Sequence, residues 1–360
     1  MTPLGILFVG STILAFAVAL LASPLISLLA HRFQVLDLPG GRRRHPHPIP
    51  RAGGLAIAAG FGVAILVFWI IDRAAGHPFL IPDEVRSPRF TLTALAAVVG
   101  LVVGFLDDVF DLRARWQLLG HVVIAAVVIA AGIRIDFLTD PFSAGGVLLL
   151  APPLAVGFTV FWIVGMNVAL NFLDGLDGLA SGVAIIAALT LGATALLPEV
   201  GEPFVAWMAF ALAGAAAGFL FFNFHPARLF LGTTGVTFLG TMLAVLSIFG
   251  TAKVTTALLV LAIPIVDTFY VLVRRAIQRR PPFAPDRGHF HHRLLDLGLT
   301  HPQSVLLIYA MTLGLAALTF VMSGTAQIAT FGGFGLLLGV VVLSLPERSP
   351  HENPPARANE

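Results

Sequence analysis

The chain has 360 residues, of which 58% are hydrophobic and only 11% charged. A soluble globular domain carries about 25% charged residues, so this composition excludes a free cytosolic enzyme, a disordered chain and a secreted disulfide scaffold. The absence of cysteine excludes thiol catalysis and a cysteine-ligated metal site. A formal net charge of +2 would suggest nucleic acid in a soluble protein. In a membrane protein, this basic charge raises the question of which side of the membrane holds the arginines. We expect no nucleic-acid partner.

Apolar stretches of about 20 residues, the length that crosses a bilayer, recur along the whole chain. They predict about eleven transmembrane helices, at 4–31, 53–71, 90–106, 118–133, 152–168, 179–197, 204–222, 229–249, 254–273, 303–323 and 325–345. Scattered Gly and Ala permit close helix packing in lipid, and they also permit a homodimer. We therefore predict an all-α polytopic membrane protein. Residues 1–345 are expected to form one integral membrane domain and 346–360 a disordered tail.

The basic residues are divided unevenly between the two sides of the membrane. The connections at 32–52, 107–117, 169–178, 223–228 and 274–302, together with the tail, hold sixteen of the 21 Lys and Arg residues. Basic loops stay in the cytoplasm, so the N-terminus is expected outside and the C-terminus in the cytoplasm. Nearly all the reactive side chains lie in the same connections. The active site is therefore expected on the cytoplasmic face.

The first acidic cluster ends the third span. Asp107 and Asp108 are adjacent, and neighbouring carboxylates repel each other unless a cation or a donor lies between them. A solvated helix end is the alternative interpretation.

The second cluster ends the fifth span. It contains Asn167, Asn171, Asp174 and Asp177, with a glycine after each aspartate. The first three are four and three residues apart, which places them on one helical face. The glycines allow the backbone to approach a ligand, although Asp-Gly is also ordinary turn chemistry.

A histidine cluster occupies the longest of these connections. His289, His291 and His292 follow five arginines, and this combination suits a phosphate or diphosphate. A zinc site and an anionic-lipid anchor are alternatives, but carboxylates on the same face favour magnesium with phosphate. The basic segment with Arg42, Arg43 and His45 suits either lipid headgroups or a substrate phosphate.

Three polar residues fall inside or beside predicted spans. Asp267 lies within the ninth span, where an unpaired charge is costly, so it should face the protein interior. His121 and Asn223 are expected to be hydrogen-bonded interface residues. Together, the carboxylates, carboxamides and histidines indicate metal-assisted phosphoryl chemistry that joins a soluble phosphate-bearing substrate to a lipid one.

In this order, the motifs resemble the polyprenyl-phosphate N-acetylhexosamine-1-phosphate transferases, glycosyltransferase family 4. The resemblance covers about residues 30–310. It rests on Asp37…Pro39…Arg42-Arg43…His45…Pro48…Pro50…Gly53-Gly54, Leu106-Asp107-Asp108, Asn171-Phe172-Leu173-Asp174-Gly175-Leu176-Asp177-Gly178, Phe230-Leu231-Gly232, Pro264…Asp267 and His289-Phe290-His291-His292. The His-x-His-His form is similar to the N-acetylglucosamine branch, which serves teichoic acid and polysaccharide synthesis.

The resemblance implies a reaction in a bacterial inner membrane. N-acetylhexosamine 1-phosphate, in this branch GlcNAc-1-phosphate, passes from a UDP-sugar to undecaprenyl or decaprenyl phosphate and UMP is released, with Mg²⁺ or Mn²⁺ as cofactor. It also implies roles for single residues. Asp107 and Asp108 would hold or deprotonate the lipid phosphate, which Arg42, Arg43 and His45 would also contact. Asn171, Asp174 and Asp177 would bind the nucleotide sugar, His289, His291 and His292 the diphosphate, and Asp108, Asn171 and Asp174 the metal.

Two positions depart from the family pattern. Val168 stands where members usually carry an Asn three residues before Asn171, with Asn167 one residue further back. Members typically carry Phe-x-Gly-Asp-x-Gly-Ser, whose Asp is a magnesium ligand, whereas Thr233 occupies that position here. A neutral hydroxyl is a poorer Mg²⁺ ligand than a carboxylate. A catalytically weak or inactive homologue that binds polyprenyl phosphate or UDP-sugar is therefore the alternative hypothesis. A proton-coupled transporter is a third, suggested only by Asp267, and it would need polar residues near the midplane.

Overall fold

A computed structural model describes residues 3–38, 47–74, 88–140, 142, 146–249, 253–281 and 288–344. The expected tail at 346–360 lies outside these residues, as do Arg42, Arg43 and His45. The described chain forms thirteen helices, with bounds α1 (Pro3–Arg32), α2 (Gly54–Ala74), α3 (Pro88–Phe110), α4 (Ala114–Ala130), α5 (Pro152–Leu173), α6 (Leu179–Ala195), α7 (Pro203–Asn223), α8 (Gly232–Ile248), α9 (Lys253–Val260), α10 (Ala262–Ile277), α11 (Phe290–Asp296), α12 (His301–Leu318) and α13 (Gly324–Ser344).

The helices confirm an all-α polytopic membrane protein. Within the described residues, seven are long and apolar enough to cross a membrane, and the bent pair α9–α10 adds up to one more. The shorter apolar helices α4, α6 and α8 have 17 residues each, or about 25 Å at 1.5 Å per residue. Each of the eleven predicted spans falls on one of these helices or, for the ninth, on the bent pair.

The ninth predicted span is not one straight helix, which corrects the sequence-based expectation. Helix α9 ends at Val260, α10 begins at Ala262, and the two are bent by 76°. Pro264 lies in the first turn of α10. It has no N–H to donate to the carbonyl of Val260, and its ring would clash with that carbonyl in a continuous helix. The chain therefore breaks at this point.

Glycines at helix contacts allow the bundle to pack closely. Helix α1 lies against α7 and α2. A Cβ on Gly218 of α7 would stand 2.3 Å from the carbonyl oxygen of Phe16 on α1. A Cβ on Gly104 of α3 would stand 2.5 Å from the carbonyl oxygen of Thr233 on α8. Helices α6, α7 and α8 supply about half of the fully buried apolar side chains, Trp207 and Phe219 among them. The core is thus centred on these three helices.

Two short antiparallel hairpins accompany the helices in the described chain. Strand β1 (Leu36–Asp37) pairs with β2 (Ile49–Pro50), and β3 (Phe137–Thr139) pairs with β4 (Val147–Leu149). The end of β2 is joined to the segment before α8, since Phe230 N–H donates to the Pro50 carbonyl at 2.8 Å. This contact fixes the first hairpin to the bundle.

All five connections predicted on one side meet at one end of the bundle. We call this the polar end, formed by the described residues of 32–53, 107–117, 169–178, 223–234 and 274–302. It is held by contacts between distant segments: the connection after α1 meets the end of α3, the end of α3 meets the start of α8, and the end of α5 meets α11. The grouping of the reactive residues at one end is confirmed.

The two interface residues named from sequence behave differently. Asn223 is satisfied as expected, since it accepts from the hydroxyl of Ser181 at 2.8 Å and donates to the Leu229 carbonyl at 3.1 Å. His121 is buried, but its Nδ1 has no hydrogen-bond partner within the described chain. The expectation was wrong for that nitrogen, because α4 faces mostly apolar side chains and a small crevice there.

The contact between α2 and α8 yields a stability prediction. Gly54→Ala should destabilise the protein by about 1–3 kcal/mol, since the new Cβ would stand 2.1 Å from the backbone nitrogen of Gly235. Gly62→Ala is the matched control in the same helix, because a Cβ there meets nothing within 4 Å. Thermal unfolding in detergent should show a lowered Tm for the first variant only. Equal Tm values would contradict the close contact.

Candidate active site

Asp108 joins the end of α3 to the start of α8. Its carboxylate is buried and accepts the backbone N–H groups of Thr233 and Thr234, both at 2.9 Å, as well as the hydroxyl of Thr234. The first N–H groups of a helix have no partner within the helix, and the helix dipole favours an anion there. Gly232 makes room, because it adopts φ 70° and a Cβ on it would stand 2.6 Å from Asp108 Oδ2.

Asp107 faces away from Asp108. One oxygen of its buried carboxylate accepts Leu112 N–H at 2.9 Å and the side-chain amide of Gln117 at 2.8 Å. The predicted repulsion between adjacent carboxylates is thus relieved by donors on two different helices. Asp107 fixes the turn into α4, and Asp108 fixes the start of α8.

Arg51 is a site residue that the sequence did not single out. Its guanidinium donates to the Asp108 carbonyl at 3.1 and 2.8 Å and to the Asp111 carboxylate at 2.6 Å. The last carbonyls of a helix lack intrahelical partners, and Arg51 supplies donors for α3. Its place directly after Pro50, within a matching motif, was the available signal.

The carboxamides and Asp174 at the end of α5 have different surroundings. Asn167 is buried, donates to the Ile163 carbonyl at 2.8 Å and packs against Gly240 of α8. Asn171 lines a crevice between α4 and α5 together with Gln117 and His121. Asp174 follows the last residue of α5.

Asp174 carries the least compensated negative charge of the second acidic cluster. Burial, followed by the charges of Asp108 and Asp177, raises its pKa to about 7. Within the described chain, no hydrogen-bond donor meets its side chain. A carboxylate in this position is suited to a cation or to a proton.

Asp177 lies among histidines at the start of α6. Its Oδ2 accepts Ala227 N–H at 3.1 Å and lies 2.8 Å from Nδ1 of His225. His301 is also close, and its ring stacks on that of His225 with centroids 4.3 Å apart. Neither histidine was singled out from sequence, because they lie far from Asp177 along the chain and only the fold joins them.

The predicted histidine cluster is anchored by Asp267. The two oxygens of this buried carboxylate lie 2.8 Å from His289 Nδ1 and 2.8 Å from Phe290 N. Asp267 therefore faces the protein interior, as expected. It holds His289 at the start of α11 and fixes the orientation of the imidazole.

His291 and His292 follow on the same short helix. The ring of His291 lies nearly parallel to that of His289, with centroids 5.6 Å apart, and is 4.3 Å from that of His292. Burial is the main reason that the pKa of His291 lies well below its usual value, so this imidazole is neutral at pH 7. A Cβ on Gly175 would stand 2.2 Å from its Nε2. The glycine after Asp174 thus allows the acidic and histidine clusters to meet.

Phe172 and Arg275 complete this side of the site. The edge of Phe172 meets His289 at 5.1 Å between centroids, and the guanidinium of buried Arg275 lies 5.4 Å from the Phe172 ring centroid. Such cation–π contacts strengthen when they are removed from water. They hold α5, α10 and α11 together around the two clusters.

The structure therefore brings together every predicted site residue that it describes. Asp107, Asp108, Asn171, Asp174, Asp177, His289, His291 and His292 all lie at the polar end, with Thr233 in the first turn of α8. Of the three predicted metal ligands, Asn171 and Asp174 have side-chain oxygens that accept no hydrogen bond within the described chain, whereas both oxygens of Asp108 accept one. The arrangement can bind phosphate groups and cations at the end of a membrane bundle.

Comparisons with known proteins agree on one family. The family model described as glycosyl transferase family 4 matches residues 90–251. The chain is 35% identical over 309 residues to the probable undecaprenyl-phosphate N-acetylglucosaminyl 1-phosphate transferase of Bacillus subtilis, which covers 82% of this chain and 81% of that protein.

Two further relatives have names of the same kind. The decaprenyl-phosphate N-acetylglucosaminephosphotransferase of Mycolicibacterium smegmatis is 31% identical over 346 residues, covering 89% of this chain and 84% of that protein. The undecaprenyl-phosphate alpha-N-acetylglucosaminyl 1-phosphate transferase of Thermotoga maritima is 30% identical over 268 residues, covering 74% and 75%.

The carboxylate at the start of α8 yields a second stability prediction. Asp108→Asn should cost about 1.5–3 kcal/mol, because one amide oxygen replaces two carboxylate oxygens that accept charge-assisted hydrogen bonds. Asp111→Asn is the matched control: its side chain is 79% exposed, so its loss should cost less than about 1 kcal/mol. Thermal unfolding in detergent measures both. An equal fall in Tm would show that Asp108 does not anchor α8.

Proposed function

We propose a function from one premise: the chain belongs to glycosyl transferase family 4. It acts as a membrane phosphotransferase that moves N-acetylglucosamine 1-phosphate from its UDP conjugate to a polyprenyl phosphate. The products are a polyprenyl diphosphate that carries the sugar, and UMP. This would be the first membrane step in building a cell-envelope polysaccharide or teichoic acid.

The polar end gives the proposal its most direct physical support. A water-soluble nucleotide sugar and a lipid phosphate can meet only where the bilayer borders water. Carboxylates, carboxamides and histidines from α3, α5, α6, α8 and α11 are gathered at one end of a bundle of apolar helices. Three relatives with transferase names are aligned over most of this chain.

The reaction exchanges one phosphorus–oxygen bond for another. An oxygen of the polyprenyl phosphate attacks the phosphorus that carries the sugar, and the bond from this phosphorus to the bridging oxygen breaks, so that UMP leaves. In-line transfer of this kind depends on positioning and charge stabilisation. We favour direct attack over a covalent enzyme intermediate, because it needs no additional nucleophile.

The histidine cluster is proposed to hold the diphosphate. Asp267 binds Nδ1 of His289, which leaves Nε2 as the nitrogen that can meet a phosphate oxygen. His291 is neutral at pH 7 because burial lowers its pKa, so it would contribute a neutral donor rather than a charge. His292 and the arginines of the same connection would supply the remaining donors.

The acidic groups are proposed to bind the two substrates. Asp107 and Asp108 would position or deprotonate the lipid phosphate, and Asp177 would contribute to binding the nucleotide sugar. Arg42, Arg43 and His45 would meet the lipid phosphate from the connection after α1. These assignments follow the motif matches.

A divalent cation fits the donor set at the end of α5. Mg²⁺ prefers oxygen ligands, and the raised pKa of Asp174 marks negative charge that lacks a partner. We propose that Asp174 and Asn171 hold Mg²⁺, or Mn²⁺ in its place, with Asp108 nearby. When bound, the ion would neutralise charge on the phosphate groups.

The membrane orientation is also proposed. The polar end would face the cytoplasm, with the N-terminus outside and the C-terminus inside, because its connections hold most of the basic residues. The membrane would be the inner membrane of a bacterium. The positions of the reactive groups argue against a transporter. The site carboxylates and histidines lie at one end of the bundle, and Asp267 is bonded to that end through His289.

Release of UMP is the primary test. Purified protein in detergent, given undecaprenyl phosphate, UDP-N-acetylglucosamine and Mg²⁺, should release UMP, and EDTA should abolish the release. Omission of the lipid phosphate is the control, because hydrolysis of the UDP-sugar would persist without it. Absence of turnover in a folded sample that still binds UDP-N-acetylglucosamine would favour the binding-only homologue.

Thr233 yields a sharper test of the metal site. Thr233→Asp should lower the Mg²⁺ concentration required for half-maximal UMP release, because it adds a carboxylate beside Asp108 at the start of α8. Thr233→Asn is the matched neutral control and should leave that concentration nearly unchanged. An identical Mg²⁺ dependence in both variants would show that this position does not contact the ion.

A further inference from the structure

His225 and His301 have no role in the proposed transfer, and they meet Asp177, which that proposal assigns to nucleotide-sugar binding. One ligand atom from each residue lies within 4.8 Å of the other two. We propose that these three side chains bind a transition-metal cation of the zinc class, at a site separate from the magnesium ligands. Two imidazoles with one carboxylate are donors suited to zinc, whereas Mg²⁺ prefers an all-oxygen set.

The spacing of the cluster agrees with three ligands of one ion. Zinc bonds of about 2.0–2.1 Å in a tetrahedral site place ligand atoms about 3.3 Å apart. His225 Nδ1 lies 2.8 Å from Asp177 Oδ2, at hydrogen-bond distance. An ion between them would replace that hydrogen bond and move the two atoms apart by about half an ångström. The rings of His225 and His301, now stacked at 18°, would turn so that their nitrogens converge on the ion.

His301 provides a second indication of a ligand. Its Nε2 is buried and has no hydrogen-bond partner within the described chain, and buried polar atoms are rarely left without one. A metal in the cluster would give an imidazole nitrogen of this residue a partner.

The three ligands stand on well-fixed segments. Thr300 caps α12 through a capping box with Gln303, which places His301 in the first turn. The hydroxyl of Tyr309 on α12 donates to the carbonyl of Gly178, the residue after Asp177. Ala227 N–H holds Asp177 from the other side at 3.1 Å. Ligands fixed in this way lose little freedom when an ion binds.

Solvent can reach the cluster, and a bound ion would have structural consequences. The His225 side chain is 38% exposed, which gives an ion an entry path. The ion would join the start of α6, the connection after α7 and the start of α12. Because it would bind the folded state only, it should raise the thermal stability of the protein.

Zinc binding can be measured independently of transfer activity. Full-length protein, purified without a histidine tag and dialysed against ZnCl₂ in the presence of excess Mg²⁺, should retain one zinc per chain by elemental analysis. His225→Gln and His301→Gln should each weaken zinc binding by at least about tenfold, since even an outer-shell change costs about 10–100-fold. Zinc should raise the Tm of the parent protein and not that of either variant.

His31→Ala is the matched control, because it removes an exposed imidazole at the end of α1. It should leave zinc content and the zinc-induced Tm rise unchanged. A His225→Ala variant tests whether the loss of zinc binding depends on the introduced glutamine. The Tm of each variant without metal verifies that it is folded. The proposal is overturned if the parent protein retains no zinc, if the cluster variants bind as well as the parent, or if Mg²⁺ displaces the zinc.

Discussion

The hydrogen bonds between Asp108 and the start of α8 are the constraint on which the polar end depends. A helix that begins inside a bundle leaves N–H groups that water cannot reach, and each must find an acceptor. The buried carboxylate from α3 is that acceptor. Because the same residue's carbonyl accepts from Arg51, the connection after α1 is tied to the same point. Three distant segments are therefore fixed by one aspartate.

The same principle separates the other charges of the polar end. Asp107 is hydrogen-bonded to α4. Asp177 is hydrogen-bonded to His225 and Ala227. Asp267 is hydrogen-bonded to His289 and Phe290. Each carboxylate thus belongs to a different pair of elements. These hydrogen bonds relieve the repulsion between neighbouring carboxylates, and no cation is needed at each of them. These side chains hold the framework, and that role limits how freely they can serve a substrate.

Much of this arrangement could be predicted from the sequence. Bilayer-length apolar runs predicted eleven helical segments, of which the ninth is bent, and the alternation of sides predicted that Asp107, Asp174 and His289 lie at one end. The bend at Pro264 was visible as a residue, but its 76° angle depends on the helices packed around it. Arg51 was one of many basic residues in its connection. His225 and His301 are 76 residues apart in the chain, and only the packing of α12 on α6 brings them together.

Asp174 shows what remains when the other carboxylates have been paired. It lies between Asp108 and Asp177, whose charges add to its burial in raising its pKa to about 7. Helix donors already occupy Asp108, and histidine and backbone donors occupy Asp177. Thr233 brings no further carboxylate to the start of α8, so the unbalanced negative charge is concentrated at the end of α5. Asn171, one turn earlier on α5, supplies a neutral oxygen, and the imidazole of His291 meets Gly175. A cation placed there would be bordered by acidic groups on one side and imidazole donors on the other, an order of charge suited to stabilising a phosphate that gains negative charge.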